Sequence, residues 1–370
     1  MTWHILGQGS IGLLWAYHWR INQHKVYLLD RHHQGPSINR SFSIDTYQGA
    51  TQSFECGICA IDDTIPITHL LVPLKAFDVV IATTSVLNRL SDNAVIVLCH
   101  NGMGTIEPVK ALLKQNQQLY FATTTHGAYR KSKTQLVHSG LGQTKIGAIT
   151  NSLGQTTNNS LGQTTNNSLG QTTNNSLGQT TNNSLGQAAN NSLGQAANSM
   201  GQTKIDVGQT KISDKTGVNP LNQQWVKSIE QGLAPLSWHQ DITAILWSKL
   251  AINCVINPLT AIEQCKNGQL NQPQYQKIIN SLCVEFKAIA RACGVEFTLS
   301  QLLNQVYQVI EATANNYSSM YQDLQQNKEK TATKTEIDFI TGYLITQAEQ
   351  HQIDVPHMQQ IYRQIKQLER

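Results

Sequence analysis

The stretch from Leu246 to Ala261, LWSKLAINCVINPLTA, combines an apolar pattern with three polar residues on one side. Lys249, Asn253 and Asn257 recur at every fourth position, and residues at this spacing lie on one face of a helix. Apolar residues fill the other faces, so we predict a largely enclosed helix. A single lysine on such a helix often extends to the surface along its aliphatic stem. Three polar residues in register instead indicate a row of hydrogen-bonding groups that face a small anionic substrate.

The N-terminal pattern changes from strand to helix and back to strand. WHIL is a short apolar strand, GQGSIG follows it from Gly7 to Gly12, LLWAYHWRIN is helical, and the strand KVYLLD ends at Asp30. This order predicts a dinucleotide-binding unit, in which the glycines allow a tight turn, the approach of a pyrophosphate and close helix–strand packing. Asp30 favours the ribose hydroxyls of NAD. Arg31 suits the 2′-phosphate of NADP, so these residues alone leave both cofactors open.

Three further apolar runs continue the alternation and are predicted as strands: HLLVPLKAF at 69–77, DVVIATTSV at 78–86, which is also a possible helix start, and NAVIVLCHNGMG at 93–104. The turn after the last run carries Asn101 and two glycines. It lies where open α/β sheets bind ligands. Lys75 is either a solvated lysine or a residue that reaches the same crevice.

A tandem repeat interrupts the chain. NSLGQTTN occurs four times from residue 151, and NSLGQAAN follows twice up to residue 198. Each copy offers one large apolar residue, a leucine, which buries too little surface to offset its ordering entropy. We therefore predict that residues 151–216 are a disordered low-complexity insertion, because long surface insertions cost little stability. An Asn/Gln-rich interaction segment is the alternative.

Bulk properties exclude several classes of protein. At 370 residues with 40% apolar content, the chain is long enough for two soluble domains. A net charge of +4 without a Lys/Arg run argues against nucleic-acid binding. No apolar stretch approaches the ~18 residues of a membrane span, and no basic leader precedes the first motif, so we expect a cytoplasmic protein without membrane contact. The seven cysteines are interpreted as reduced, packed thiols, although Cys56 and Cys59 form a CxxC pair.

Five motifs occur in a defined order along the chain: GQGSIG, HNGMGTIE at 100–107, TTTHGAYR at 123–130, LWSKLAINCVINPLTA…NGQL at 246–270 and SSMYQDL…TEIDFITGYL at 318–344. Together they resemble the ketopantoate reductase (2-dehydropantoate 2-reductase) family, over nearly the whole chain except roughly 150–216. The resemblance implies an α/β Rossmann N-terminal domain at 1–150 that carries the insertion. Residues 217–370 would complete the Rossmann domain up to about 240 and then form an all-α C-terminal domain. The implied reaction is NADPH-dependent reduction of 2-dehydropantoate to (R)-pantoate in pantothenate and coenzyme A synthesis.

The resemblance also implies roles for individual residues, with Lys249 as the proton donor. The cofactor-side positions are Gly7, Gln8, Gly9, Ser10, Ile11, Gly12, Arg31, Lys75, Asn101, Ala128 and Glu336. The substrate-side positions are Asn101, Lys249, Asn253, Asn257, Asn267, Ser319, Met320, Tyr321 and Gln322.

The implied chemistry suits a lysine. Hydride delivered to C2 of a 2-keto acid leaves negative charge on the oxygen, and a nearby ammonium stabilises that charge and supplies the proton. Arginine does not release a proton in practice. No metal is needed, and His126, His138 and His239 lack the spacing of metal ligands.

Two other functions remain as alternatives. The first keeps the fold and reduces another 2-keto acid, although the segment CKNGQL with Asn267 and the run at 318–322 argue against it, because they resemble the pantoate-handling pattern of the family. The second is a non-catalytic nucleotide-binding or interaction protein that works through the repeat. The intact polar stripe, formed by Lys249, Asn253 and Asn257, argues against this second alternative. The resemblance favours NADP as cofactor, because Arg31 matches a position at which the family has a basic residue. The expected partners are the small-molecule substrate and at most a second copy of the chain, since the sequence leaves monomer and homodimer open.

Overall fold

The computed structural model of the chain describes residues 1–149, 220–326 and 333–369, with no side-chain description for 220–223 and 326. The predicted low-complexity insertion at 151–216 lies outside these residues. Within the described residues, eleven strands form one mixed sheet, and the residues after it are helical.

The sheet and its helices extend from the N-terminus to residue 239. In chain order they are β1 (Thr2–Leu6), α1 (Ser10–Ile21), β2 (Lys25–Asp30), β3 (Ile38–Asp45), β4 (Thr51–Ala60), β5 (Ile67–Val72), α2 (Ala76–Ser85), β6 (Leu90–Leu98), α3 (Ile106–Leu112), β7 (Gln118–Thr124), β8 (Gly127–Arg130), β9 (Gln135–Gly140), β10 (Thr144–Ala148), α4 (Pro220–Glu230) and β11 (Leu236–His239). A short 3₁₀ helix, Leu87–Arg89, leads into β6.

Six neighbouring strands of this sheet run parallel, in the spatial order β4, β2, β1, β5, β6, β7. The outer strands extend both edges, with β10 and β11 beside β7, and β3, β9 and β8 beside β4. Because β11 pairs with β10, the sheet ends only at His239, after the insertion. The central strands β5 and β6 end in runs of buried apolar residues, at 70–72 and 94–98, as expected where helices cover both faces.

The order in which strands are added to the sheet reverses between β1 and β5, which are parallel neighbours. From β1 the chain proceeds to β2 and β4 on one side, and β5 then starts the other side. Ligands of open α/β sheets bind in the crevice beyond the carboxyl ends of such strands. The glycine loop follows β1 and Lys75 follows β5, so both lie at this switch point.

One strand prediction is wrong. The run DVVIATTSV, predicted as a strand with a helix start as the alternative, lies in helix α2 and the residue that ends it, so the alternative is correct. Its β-branched residues favour a strand locally, but parallel neighbours such as β5 and β6 need a crossover connection, usually a helix.

The C-terminal part is a bundle around one central helix. Its elements are α5 (Thr243–Ile262), a 3₁₀ helix (Asn267–Asn271), α6 (Pro273–Ala292), α7 (Leu299–Ala312), α8 (Ser319–Gln326), a π-helical turn (Asp338–Gly342), α9 (Tyr343–Gln350) and α10 (Pro356–Leu368). Helix α5 packs against α6, α7, α8 and α10. The apolar stretch with the polar stripe is therefore the core helix of this domain.

Helix α5 contradicts the expectation that no apolar stretch approaches the length of a membrane span. Among the described residues it is the one helix whose length and mean hydropathy of 1.4 would suffice to cross a membrane, although no such stretch was expected. About 67% of its apolar window is buried inside the protein, which is the pattern of a core helix. All seven cysteines are free and buried, as the interpretation of packed thiols requires.

Candidate active site

The glycine loop between β1 and α1 has the geometry of an anion-binding turn. Gly7 has φ +133°, a conformation that side chains rarely adopt, and a Cβ on Gly12 would lie 2.3 Å from the Gly7 carbonyl oxygen. Gly9 is exposed, and a Cβ there would meet nothing nearer than 4.0 Å. Helix α1 has no side-chain cap and no acidic residue in its first turn. The loop therefore fits a pyrophosphate, with open space above Gly9 and the positive end of a helix below it.

A second part of the site joins the two domains through four side chains. Glu336, from the segment before the π-helical turn, accepts hydrogen bonds from Ala76 N at 3.1 Å and from Asn101 Nδ2 at 3.3 Å. Lys75 Nζ lies 3.7 Å from Glu336 Oε2 and donates to both oxygens of Asp323 at 2.7 and 2.9 Å. Glu336 thereby caps helix α2 and links it to the loop after β6.

Nearby charges and burial shift the pKa values of Lys75 and Asp323 in opposite directions. Burial alone would lower the pKa of Lys75, but the carboxylates of Glu336 and Asp323 raise it above the usual lysine value. Burial raises the pKa of Asp323, and Lys75 opposes that shift. Lys75 therefore remains an ammonium in the crevice, paired with both carboxylates.

The loop after β6 is held against the helical domain by its glycines. Gly102 has φ +79°, and a Cβ there would lie 2.5 Å from the Phe339 carbonyl oxygen. Met103 N donates to that same oxygen at 2.8 Å. This close backbone contact brings Asn101 within reach of Glu336.

The stripe on α5 faces the carboxyl end of β7. Lys249 Nζ donates to Thr123 Oγ1 at 2.8 Å and to the Thr124 carbonyl oxygen at 3.0 Å. Burial lowers the pKa of Lys249, and interactions with Cys99 and Glu336 partly offset this. A lysine in this setting releases its proton more readily than a solvated one.

Asn253 and Asn257 follow Lys249 along the same face of α5. Asn257 is buried and Asn253 is half-buried. Neither side chain makes a hydrogen bond within the described part of the chain. Polar groups in such positions usually have partners, so these two amides are suited to bind a polar ligand.

The remaining substrate-side positions divide into two groups. Asn267 is buried, donates from Nδ2 to Thr313 Oγ1 at 2.9 Å, and leaves its Oδ1 unpaired among the described residues. Ser319 begins α8 and lies on the same helix face as Asp323, four residues later. Ser319 therefore lies toward the cluster of Lys75, whereas Asn267 offers its acceptor on a buried side chain.

Three other residues of the predicted run have different surroundings. Met320 is 2% exposed and belongs to the hydrophobic core, so its side chain has little surface to offer a substrate. Tyr321 stacks on Tyr317 with 4.4 Å between ring centroids, and Gln322 donates to the Tyr317 carbonyl oxygen at 3.0 Å. Because the run is helical, its four side chains point in different directions and do not form one contact surface.

The predicted cofactor-side residues at the other edge lie near the glycine loop. Arg31 is exposed, and its Nε contacts His32 at 3.1 Å. Burial alone would raise the pKa of Asp30, but hydrogen bonds from the His32 N–H and the Gln8 side chain lower it, as does the charge of Arg40. Asp30 is thus a carboxylate beside the loop, with the positive charge of Arg40 near it.

Some residues of this site were not predicted. Asp323 directly follows the run at 319–322. Its contact with Lys75 is what shows that it belongs with Lys75, Asn101 and Glu336. Thr123 and Thr124 lie inside the motif TTTHGAYR, but their contacts with Lys249 span 126 and 125 positions of the sequence. Arg40, on β3, has no local motif. No pattern of spacing in the sequence marks these residues.

Comparison with known proteins agrees with this geometry. Residues 3–151 match the family model of ketopantoate reductase PanE/ApbA, and residues 241–369 match the model of its C-terminal part. The chain belongs to the ketopantoate reductase family. It is an oxidoreductase of that class. Among the relatives, the 2-dehydropantoate 2-reductase of Vibrio cholerae serotype O1 is 33% identical over 365 residues, which cover 99% of this chain and 97% of the relative.

Solved structures share the fold. A PanE/ApbA family ketopantoate reductase from Ralstonia eutropha JMP134 has a TM-score of 0.71 at 17% identity, over 100% of this chain and 98% of the other. D-mandelate dehydrogenase, in a ternary structure with NADH and anilino(oxo)acetate, has a TM-score of 0.72 at 14% identity, with the same coverage. The predicted combination of a Rossmann domain and an all-α domain is confirmed.

Proposed function

We propose that this ketopantoate reductase reduces 2-dehydropantoate to (R)-pantoate with NADPH and that Lys249 is the proton donor. The observation that carries the proposal is the position of Lys249, whose ammonium lies at the carboxyl end of β7. On the same face of α5 lie two asparagine amides that make no hydrogen bond among the described residues. The name of the Vibrio cholerae relative supports the choice of substrate.

The residues of the site fit a nicotinamide dinucleotide. The loop from Gly7 to Gly12 would hold the pyrophosphate, and Lys75, Asn101 and Glu336 would border the nicotinamide half. When bound, the dinucleotide supplies the hydride. Arg31, which follows Asp30 in the sequence, and Arg40, whose charge lowers the pKa of Asp30, support NADP over NAD because guanidinium groups pair well with a phosphate.

The protein's own residues handle the charge that the reaction creates. As hydride adds to C2 of the keto acid, the oxygen becomes negative, and Lys249 stabilises it and transfers a proton from Nζ. Thr123 and Thr124 hold the ammonium in place. Asn253 and Asn257 would orient the carboxylate and hydroxyl of the substrate without adding charge.

A substrate panel tests the proposal directly. The consumption of NADPH is followed with ketopantoate, with smaller 2-keto acids and with an aromatic 2-keto acid, and each assay is repeated with NADH. We expect the highest kcat/KM with ketopantoate and NADPH. A preference for the aromatic acid would instead indicate the alternative, a reductase of another 2-keto acid.

Replacing Gly9 by alanine tests the cofactor position separately from folding. The free protein has room for this Cβ, so we expect the unfolding midpoint to stay within about 1 °C of the wild type. The methyl group would obstruct the approach of a pyrophosphate, so the Kd for NADPH should rise at least about tenfold. Gly140→Ala is the matched control, because a Cβ at Gly140 meets nothing within 4 Å. Unchanged NADPH affinity in Gly9→Ala would place the pyrophosphate elsewhere.

A further inference from the structure

Arg130 ends strand β8 at one edge of the sheet, yet its side chain reaches the glycine loop. Its Nη1 donates to the Gln8 carbonyl oxygen at 2.8 Å. Its Nε and Nη2 donate to the carbonyl oxygens of Ser132 and Lys133 at 3.2 and 2.8 Å. One guanidinium thereby ties the turn after β8 to the loop after β1, across 122 residues of sequence.

The sheet makes this contact possible because it curves around α1. Helix α1 packs against β1, β2 and β4, and also against β8 and β9 at the far edge. Strand β8 is consequently placed beside the start of α1. Ala128 lies two residues before Arg130 on this strand, which is why a residue at the sheet edge can belong to the cofactor side.

The charge of Arg130 has no acidic partner in the part of the chain that the structure describes. Its three hydrogen bonds all go to backbone carbonyl oxygens, and the guanidinium is exposed. A guanidinium carries five N–H donors, so donors remain for a further acceptor. The neighbouring Lys131 differs, because it pairs with Asp45 at 2.7 Å.

We propose that Arg130 is a cofactor-binding residue: its guanidinium binds the pyrophosphate of the dinucleotide and holds the glycine loop in its binding conformation. The inference rests on the proposed function, since it needs a dinucleotide at this loop. An unpaired positive charge beside the open amides of α1 is the arrangement that an anionic diphosphate requires. A role as a structural tether alone would need the hydrogen bonds but not the charge.

Direct titration separates the two roles. NADPH and NADH are titrated into the full-length protein, with nucleotide fluorescence as the readout, for the wild type, Arg130→Lys, Arg130→Gln and Lys131→Gln. We expect Arg130→Gln to raise the Kd of both nucleotides by a similar factor, roughly ten- to hundredfold, because a charge-assisted hydrogen bond is lost. Arg130→Lys, which keeps the charge, should recover part of the affinity. Lys131→Gln, which removes the same charge one residue away, should leave both Kd values unchanged.

Salt dependence gives an independent readout. The Kd of the wild type should rise with ionic strength more steeply than that of Arg130→Gln, because salt screens the exposed guanidinium. Equal Kd values in the wild type and Arg130→Gln would overturn the inference. So would a loss in Arg130→Gln with the wild-type salt dependence, which indicates a tether, or a loss confined to NADPH, which indicates the 2′-phosphate. A wild type that binds neither nucleotide would contradict the proposed function itself.

Discussion

Replacing Lys249 by alanine is expected to lower kcat for NADPH-dependent ketopantoate reduction by about a hundredfold or more. The substitution removes both the proton donor and the charge that stabilises the developing oxyanion. Lys249→Arg should also lose most of the activity, because arginine keeps the charge but does not release a proton. Single-turnover and steady-state assays with saturating ketopantoate measure the effect.

Controls for this experiment are available in the same chain. Lys110, on α3, is exposed and lies outside the cleft, so Lys110→Ala should retain wild-type kcat. The affinity of Lys249→Ala for NADPH should change little, because the lysine acts on the substrate side. Turnover of Lys249→Ala within a few-fold of the wild type would show that another group supplies the proton.

The pH dependence of kcat tests whether Lys249 acts in its protonated form. The active form of Lys249 is the protonated one, so kcat is retained at low pH and falls as pH rises through the pKa of this lysine. Because burial lowers that pKa, the fall should begin below the pH at which an ordinary lysine titrates. Lys249→Ala should lack this alkaline limb.

Replacing Glu336 by alanine is expected to destabilise the protein and to reduce activity. The side chain is buried and accepts hydrogen bonds from Ala76 N and Asn101 Nδ2, both of which would lose this partner. Loss of a helix cap costs about 0.5–2 kcal/mol, and a donor left without its buried acceptor costs about 1–3 kcal/mol, so we expect the free energy of unfolding to fall by roughly 2–5 kcal/mol. The value of kcat/KM should fall at least about tenfold, because the cluster positions Lys75 and Asn101.

Glu336→Gln separates the cap from the charge. The amide oxygen can still accept from Ala76 N, so most of the stability should remain, whereas the lost charge beside Lys75 should still lower kcat/KM. Urea unfolding and steady-state kinetics of both variants provide the measurements. Glu349→Ala, an exposed position on α9, is the control for removing a carboxylate from the helical domain. If Glu336→Ala unfolds like the wild type, Glu336 does not hold the two domains together.

Local patterns in the sequence determined the glycine loop, the strand β2 and the polar stripe of α5. Each of these depends on spacing within a few residues. GxGxxG needs a turn between a strand and a helix, and a four-residue spacing defines a helix face whatever the helix packs against. The order of five such motifs was sufficient to predict the family and the combination of two domain types. Composition predicted a low-complexity insertion at 151–216, which lies outside the described residues, and gave no role for it.

The tertiary structure decided the contacts that connect these parts. The run DVVIATTSV is a helix because β5 and β6 are parallel and because Glu336, 260 residues away, caps the N-terminus of α2. Asp323 reaches Lys75 across 248 residues, and Arg130 reaches Gln8 across 122. Met320 packs in the core because its run is helical. Such contacts depend on how the sheet curves and how the helical domain packs against it, and no periodicity in the sequence records either.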